Sequence, residues 1–196
     1  MIPFQLSHVV NLQFADFHGN QLSSVNEHLF VIVTLIELNL SKNSIIHVSP
    51  EISELTNLIS ANFSENAILN VCPEIGSISG LKQLDLSKNP LLTPNRAVAR
   101  TSSENVACYM KRQWIAIKTC SLELLHMSIS ILSEDTLLMT GLQSLNLSYN
   151  ALSIFPVTNF HDVVTLDLSF NHFTEVPKKC WTVAFFTQIS YFWLQM

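Results

Sequence analysis

Residues 35–45, LIELNLSKNSI, carry the pattern L-x-x-L-x-L-x-x-N-x-I, which decides the fold of this chain. Leu38 and Leu40 alternate with polar neighbours, as the residues of a half-buried strand do. Asn43 follows as a turn residue, and its amide can satisfy backbone groups that the strand leaves behind. A single unit of this kind cannot bury its own apolar face, so the pattern predicts further units stacked beside it.

The same pattern recurs along the chain at a nearly constant period. It starts at residues 12, 35, 58 and 81, which are 23 residues apart, and again at residues 122, 142 and 163. Seven matches of this kind are typical of a stack of short parallel strands. In the fifth match, the pattern falls on Leu122, Leu125, Met127, Ser130 and Leu132.

The second half of each early repeat is also regular. Apolar residues recur there at i, i+4 and i+7, as in Val48-Ile52-Leu55 and Val71-Ile75-Ile78. Pro50 and Pro73 lie at the same position of their repeats, two residues after Val48 and Val71. This spacing places the three apolar residues on one face if the segment is helical. We expect an extended segment or a short helix on the side opposite the strands.

These patterns predict an α/β leucine-rich-repeat solenoid interrupted by one helix. A curved parallel β-sheet would line the concave face, and short helices or extended segments would line the convex face. The predicted first block covers residues 1–91, with four repeats and a partial one. An inserted amphipathic basic helix would occupy 92–121, a second block of three repeats 122–181, and a divergent apolar tail 182–196.

The inserted segment differs from the repeats in composition, because it holds half of the Lys and Arg residues. Thr101-Ser-Ser-Glu104 resembles a capping box, and a helix is predicted from about residue 102 to 117. Its apolar face would consist of Val106, Tyr109, Met110, Trp114 and Ile117. One interpretation is a capping helix whose basic face is solvated; the other is a docking patch for an acidic partner or a membrane surface. The residues of this basic patch are Arg96, Arg100, Lys111, Arg112 and Lys118.

The blocks ELNLSKNSI and LKQLDLSKNPL, together with the V-x-P-E-I segments, resemble intracellular leucine-rich-repeat proteins of the Ras-suppressor and scaffold group. The resemblance extends over residues 2–181. In that group a repeat block ends in an N-P-L segment followed by a helix, and Asn89-Pro90-Leu91 and Val106-x-x-Tyr109-Met110 are similar to this ending. Here more repeats follow, as in some intracellular members. The resemblance implies a scaffold that recognises other proteins, in intracellular signalling.

The concave face is the expected contact surface for a partner protein. The eighth position of the pattern carries Gly19, Lys42, Glu65 and Lys88 early in the chain, but apolar residues later. Three adjacent exposed apolar residues form an interface-like patch, although they could instead pack against another segment of the chain. Polar residues at the fifth position would flank this patch. The predicted partner-binding residues are Ile129, Tyr149, Phe170, His126, Asn146 and Asp167.

Composition and motifs argue against several other functions. A net charge of −5 disfavours nucleic-acid binding, which usually requires a basic domain. The sequence contains no HExxH, GxSxG, Walker or kinase signature, so we predict neither an enzyme nor a cofactor. Cys72, Cys108, Cys120 and Cys180 match no zinc pattern, so we predict no metal site and interpret these residues as buried thiols. A cytoplasmic location is expected, since the N-terminus does not resemble a secretory signal.

Both ends of the chain depart from the repeat pattern. Ile2-Leu6-Val9 fits the second half of a repeat, as if the chain began inside one. Residues 180–196 are strongly apolar and could form a degraded final repeat, a tail unrelated to the repeats, or a membrane-surface anchor. Membrane binding is disfavoured except through this tail. A truncated repeat protein without independent activity is therefore the alternative to a binding scaffold.

Overall fold

The computed structural model describes residues 8–25, 27–94, 96–156 and 160–175 of the chain. Two compact units divide the chain, Met1–Trp114 and Ile115–Met196. The predictions for the N-terminal half-pattern at residues 2 and 6, for Cys180 and for the tail at 182–196 lie outside the described residues. The division into blocks at 1–91, 92–121 and 122–181 stays a prediction as a domain assignment.

The first unit contains a parallel sheet in the strand order β1-β2-β4-β6. In each three-residue strand the middle residue faces the core. Leu38 and Ala61, which pair in neighbouring strands, are both at most 2% exposed. Partner residues are one repeat apart, as the 23-residue period predicts. The strands are Phe14–Asp16 (β1), Glu37–Asn39 (β2), Ser60–Asn62 (β4) and Gln83–Asp85 (β6).

The other side of the first unit combines extended and helical segments. The short strands His47–Val48 (β3) and Asn70–Val71 (β5) pair in parallel. A 3₁₀ turn follows each of them, at Pro50–Glu54 and at Pro73–Ser77. Proline opens each turn, where its missing N–H removes no helical hydrogen bond. The predicted triads are buried here, namely Val48, Ile52 and Leu55 and their counterparts Val71, Ile75 and Ile78.

The repeat asparagines join neighbouring repeats of each unit through their side chains. The Nδ2 atom of Asn66 donates to the carbonyl oxygens of Leu40, Phe63 and Ser64, at 2.9, 3.0 and 3.2 Å. Its Oδ1 atom accepts a hydrogen bond from the Ile45 backbone N–H at 2.9 Å. Asn43, Asn89, Asn150 and Asn171 form the equivalent bonds. A single amide therefore satisfies backbone groups of two repeats.

Three α-helices occur in the described residues before the second sheet: Glu27–Phe30 (α1), Arg96–Ala99 (α2) and Ser103–Thr119 (α3). The predicted helix at 102–117 corresponds to α3. Val106, Tyr109 and Met110 are at most 3% exposed, as its predicted apolar face requires. Ile117 is 54% exposed, so its assignment to that face was wrong.

The start of α3 lies one residue later than the predicted capping box. The Ser102 hydroxyl accepts a hydrogen bond from the Asn105 N–H at 3.3 Å, which makes Ser102 the cap. Thr101 instead donates its hydroxyl to the Val98 carbonyl at 2.7 Å, after α2. The pKa of the Glu104 carboxyl is below its ordinary value because its own backbone N–H and then the Ser102 hydroxyl donate to it. The predicted Thr101–Glu104 pairing is therefore replaced by a cap from Ser102.

The second unit contains its own parallel sheet, in the order β7-β8-β9. The strands are Ser121–Glu123 (β7), Ser144–Asn146 (β8) and Thr165–Asp167 (β9), and helix α4 spans Glu134–Leu137. Leu122 pairs with Leu145, and Leu145 pairs with Leu166. The core of this unit therefore continues the inward-facing leucines of its strands.

The register of the fifth repeat differs from the prediction by three residues. The pattern matched Leu125 to Leu145, whereas the sheet pairs Leu122 with Leu145. Met127 consequently occupies the ninth position, where the other repeats have asparagine, and it is 4% exposed. The sequence pattern favoured the wrong register because it expects a polar residue at the ninth position, and Ser130 fits that expectation where Met127 does not.

Candidate partner-binding surface

Where the fifth position of a repeat is Asp or Asn, its side chain accepts a hydrogen bond from the backbone two residues later. The Oδ1 atom of Asn146 accepts hydrogen bonds from the Ser148 N–H at 3.0 Å and from its hydroxyl at 2.7 Å. Asp167 accepts one from the Ser169 N–H at 2.9 Å. In the first unit, the pKa of Asp16 lies below its ordinary value because the His18 N–H and then its ring donate to the carboxylate. These side chains thus stabilise the turn that follows each strand.

The eighth position of every repeat has a left-handed backbone. Its φ angle lies between 53° and 67° at Gly19, Lys42, Glu65, Lys88, His126, Tyr149 and Phe170. The N–H of this residue donates to the seventh-position carbonyl of the next repeat, as Lys42 does to Ser64 at 3.0 Å and Tyr149 to Ser169 at 3.0 Å. This conformation is uncommon for residues other than glycine, and bulky side chains adopt it least readily. The repeat geometry therefore imposes strain at this position.

His126, Tyr149 and Phe170, which we call the aromatic row, stack on one another at this position of the second unit. The ring centroids of His126 and Tyr149 are 4.3 Å apart, with 23° between the planes. Those of Tyr149 and Phe170 are 4.2 Å apart, with 11° between the planes. Tyr149 is 45% exposed and Phe170 54% exposed. An exposed, pre-ordered stack of this kind presents apolar area with few side-chain rotations left to lose.

The predicted partner-binding residues are only partly brought together. Tyr149 and Phe170 are exposed and adjacent, as expected. Ile129 is 5% exposed, because the corrected register makes it an inward-facing eleventh-position residue; its placement in the patch was wrong. His126 occupies the place in the row that the prediction assigned to Ile129.

The same change of register affects the flanking positions. Glu123, rather than His126, is the fifth-position residue of its repeat, and it pairs in register with Asn146. Asn146 pairs in turn with Asp167. The sequence contained a signal for this arrangement, because a start at residue 119 restores the 23-residue period to the next repeat. The binding role of all these residues stays a prediction.

The predicted basic patch is distributed over two helices. Arg96 and Arg100 are exposed, and they lie at the start of α2 and just after its end. Lys111 is half-buried on α3, and its Nζ atom donates to the Ser79 carbonyl at 2.9 Å. Arg112 is half-buried and Lys118 is exposed, both also on α3. Lys111 thus makes a structural contact within the first unit, and docking through the patch stays a prediction.

Within 8–25, 27–94, 96–156 and 160–175, no three His, Cys, Asp or Glu residues are grouped so that they could hold a metal ion. In the same ranges, none of the helices has the length and apolar character needed to cross a membrane.

Comparison with known proteins agrees with the observed strand and asparagine geometry. Residues 141–163, which include β8, match the family Leucine Rich Repeat. This segment is a leucine-rich repeat. The fold is therefore an α/β leucine-rich-repeat solenoid with parallel strands and few helices. No curated protein matches the chain.

Three solved structures with similarity to this chain come from bacteria. A leucine-rich-repeat protein of Leptospira interrogans is 22% identical, with 92% of this chain and 43% of that chain covered and a TM-score of 0.49. An internalin of Listeria monocytogenes is 17% identical, with coverages of 86% and 37% and a TM-score of 0.41. The functional domain of InlJ from the same species is also 17% identical, with coverages of 88% and 37% and a TM-score of 0.42. The chain spans less than half the length of these structures.

Proposed function

We propose that this chain is a protein-binding scaffold that contacts its partner through the aromatic row. The observation that carries the proposal is the exposed stack of His126, Tyr149 and Phe170. Aromatic residues are enriched among the side chains that dominate binding energy at protein interfaces. Tyr149 and Phe170 are large apolar side chains that remain about half exposed at this position.

The first unit supports this choice by contrast. At the eighth position it carries Lys42, Glu65 and Lys88, and the Lys88 Nζ atom lies 3.1 Å from the Glu65 carboxylate. An exposed ion pair of this kind contributes little stability and keeps the surface hydrated. The same backbone position thus has a charged form in the first unit and an aromatic form in the second. The aromatic form is the better interface.

We propose that the chain binds a partner rather than catalysing a reaction, that it needs no cofactor, and that it acts in intracellular signalling. We also propose a cytoplasmic location, because Asn89-Pro90-Leu91 and the helix after it resemble the corresponding segments of intracellular repeat proteins. Cell fractionation with an epitope-tagged chain tests the location, and recovery only in the secreted fraction would contradict it.

Replacing two residues of the aromatic row tests the binding function. Asparagine tolerates a left-handed backbone, so Tyr149→Asn with Phe170→Asn removes the rings and preserves the local geometry. We expect the affinity for a partner identified by quantitative affinity capture and then purified to fall at least about tenfold. The measurement is isothermal titration calorimetry.

The matched control is Lys42→Asn with Lys88→Asn, which makes the same change at the same backbone position of the first unit. We expect it to leave the affinity unchanged, and thermal unfolding should show that both variants are folded. Equal affinity of the purified partner for the wild type and the Tyr149/Phe170 variant would overturn the proposal. So would a capture experiment in which no protein depends on the aromatic row.

A further inference from the structure

We infer that the partner of the aromatic row is basic and inserts an arginine side chain beside it. This inference rests on the proposed function and names the class of partner. It is carried by the carboxylates that the corrected register places on the same sheet as the rings. Glu123 and Asp167 are the fifth-position residues of β7 and β9, and Asn146 lies between them.

These carboxylates point away from the core. Leu122 and Leu145, beside Glu123 and Asn146 in their strands, are at most 1% exposed, and strand neighbours face opposite sides of a sheet. Glu123 is exposed and Asp167 half-buried. Each is three residues before a member of the aromatic row, a chain separation of at most about 11 Å. The surface therefore combines ring edges with negative charge.

The negative charge of the second unit indicates that a basic partner fits this surface. The described residues of the second unit include six acidic residues and one lysine, Lys118. Tyr149 is stacked between His126 and Phe170, so the row presents ring edges along its length. The methylene stem of arginine can pack on these edges. Its guanidinium group then donates hydrogen bonds to a carboxylate, which a planar fork does more effectively than an ammonium group.

Asp167 is suited to this role because its turn function uses one oxygen. Its Oδ1 atom accepts the Ser169 N–H bond, as the asparagine oxygen does in other repeats. Asp167→Asn therefore removes the charge and preserves the turn. Glu123→Gln likewise preserves the length of an exposed side chain. The double variant Glu123→Gln with Asp167→Asn isolates charge from fold.

The first test uses a fluorescent, capped peptide of alternating arginine and glycine, titrated into the full chain and followed by anisotropy. We expect the Kd to rise about tenfold or more for the Glu123/Asp167 variant, and also for a peptide in which neutral citrulline replaces arginine. A lysine peptide should bind several-fold more weakly than the arginine peptide. Raising the salt concentration should weaken binding to the wild type more than binding to the variant.

The control removes two charges elsewhere in the same unit, through Glu134→Gln with Asp162→Asn. We expect an unchanged Kd for this control. The inference is overturned if the control weakens binding as much as the Glu123/Asp167 variant, if citrulline binds as well as arginine, or if the arginine peptide does not bind.

The purified partner separates this inference from the proposed function. A partner that requires Tyr149 and Phe170 but binds the Glu123/Asp167 variant with unchanged affinity leaves the scaffold function standing and overturns the basic class. A partner that is indifferent to Tyr149 and Phe170 overturns the scaffold function at this surface, whatever the peptide does.

Discussion

Asparagine at the ninth position links neighbouring repeats, because the amides of Asn43, Asn66, Asn89, Asn150 and Asn171 each bond the backbone of two repeats. Asn150 accepts hydrogen bonds from two backbone groups of the preceding repeat. Its Oδ1 atom accepts from the N–H groups of both Met127 and Ile129, at 3.1 and 3.0 Å. The repeat that lacks an asparagine of its own therefore has its turn satisfied by the asparagine of the next repeat.

Replacing Asn66 by alanine tests this role at the level of one residue. The change removes three donated bonds and one accepted bond at a position that is 9% exposed. Because buried backbone groups lose their partners, we expect the free energy of unfolding to fall by about 2–4 kcal/mol. Urea unfolding followed by circular dichroism measures it.

Asn20→Ala is the control for that change. Asn20 is exposed and bonds the Phe17 and His18 carbonyls of its own repeat, at 2.9 and 3.2 Å. Because water can replace these bonds, we expect a loss below about 1 kcal/mol. Equal losses at Asn20 and Asn66 would show that the bonds between repeats carry no special stability.

At the level of elements, helix α3 approaches the 3₁₀ turn Pro73–Ser77 more closely than a side chain would allow. A Cβ atom added at Gly76 would lie 2.7 Å from the carbonyl carbon of Met110 and 2.8 Å from the Cβ atom of Trp114. Glycine is thus required here because two backbones meet. On α3 itself, the Gln113 Nε2 atom donates to the buried Tyr109 hydroxyl at 2.7 Å.

Gly76→Ala should separate the helix from the turn. Since neither neighbouring backbone can yield without moving its element, we expect a destabilisation of about 1–3 kcal/mol in urea unfolding. Gly80→Ala is the matched control, because its added Cβ atom would lie 3.5 Å from the Leu58 carbonyl oxygen, an ordinary contact. Equal stability of the Gly76 variant and the wild type would contradict the close approach.

At the level of the whole molecule, the Cys72 thiol makes the free energy of unfolding depend on pH in the alkaline range. Burial raises the pKa of Cys72 from its ordinary value of 9.0 to about 11. Between these values the unfolded chain releases the thiol proton before the folded chain does. The contribution to stability is therefore complete below about pH 9 and is lost as the pH rises through about 11.

A comparison of wild type with Cys72→Ser measures this effect. The serine hydroxyl does not titrate in this range, so the free energy of unfolding of the wild type should fall more steeply between pH 9 and pH 11. Subtracting the two curves removes the titration of the other groups. Parallel curves would show that the thiol is as accessible in the folded chain as in the unfolded one.

The sequence by itself determined the repeat, its period, the inward-facing leucines, the asparagines of the turns and helix α3. A single stretch such as residues 35–45 already displays the leucine alternation and the asparagine, the recurrence of that stretch gives the period, and helical spacing after residue 101 gives α3. The pattern also marked Tyr149 and Phe170 as exposed. It failed at the fifth repeat, because Met127 replaces the asparagine on which the pattern depended.

Only the tertiary structure decided which residues share a surface in the second unit. Pairing of Leu122 with Leu145 buries Ile129 and brings His126 into the stack with Tyr149 and Phe170. The reason is that the register of a strand is set by the leucines its neighbour offers and by the amide of Asn150. Both lie more than 20 residues further along the chain, so the eleven-residue motif does not contain them, and only the 23-residue spacing between residues 119 and 142 indicated the register.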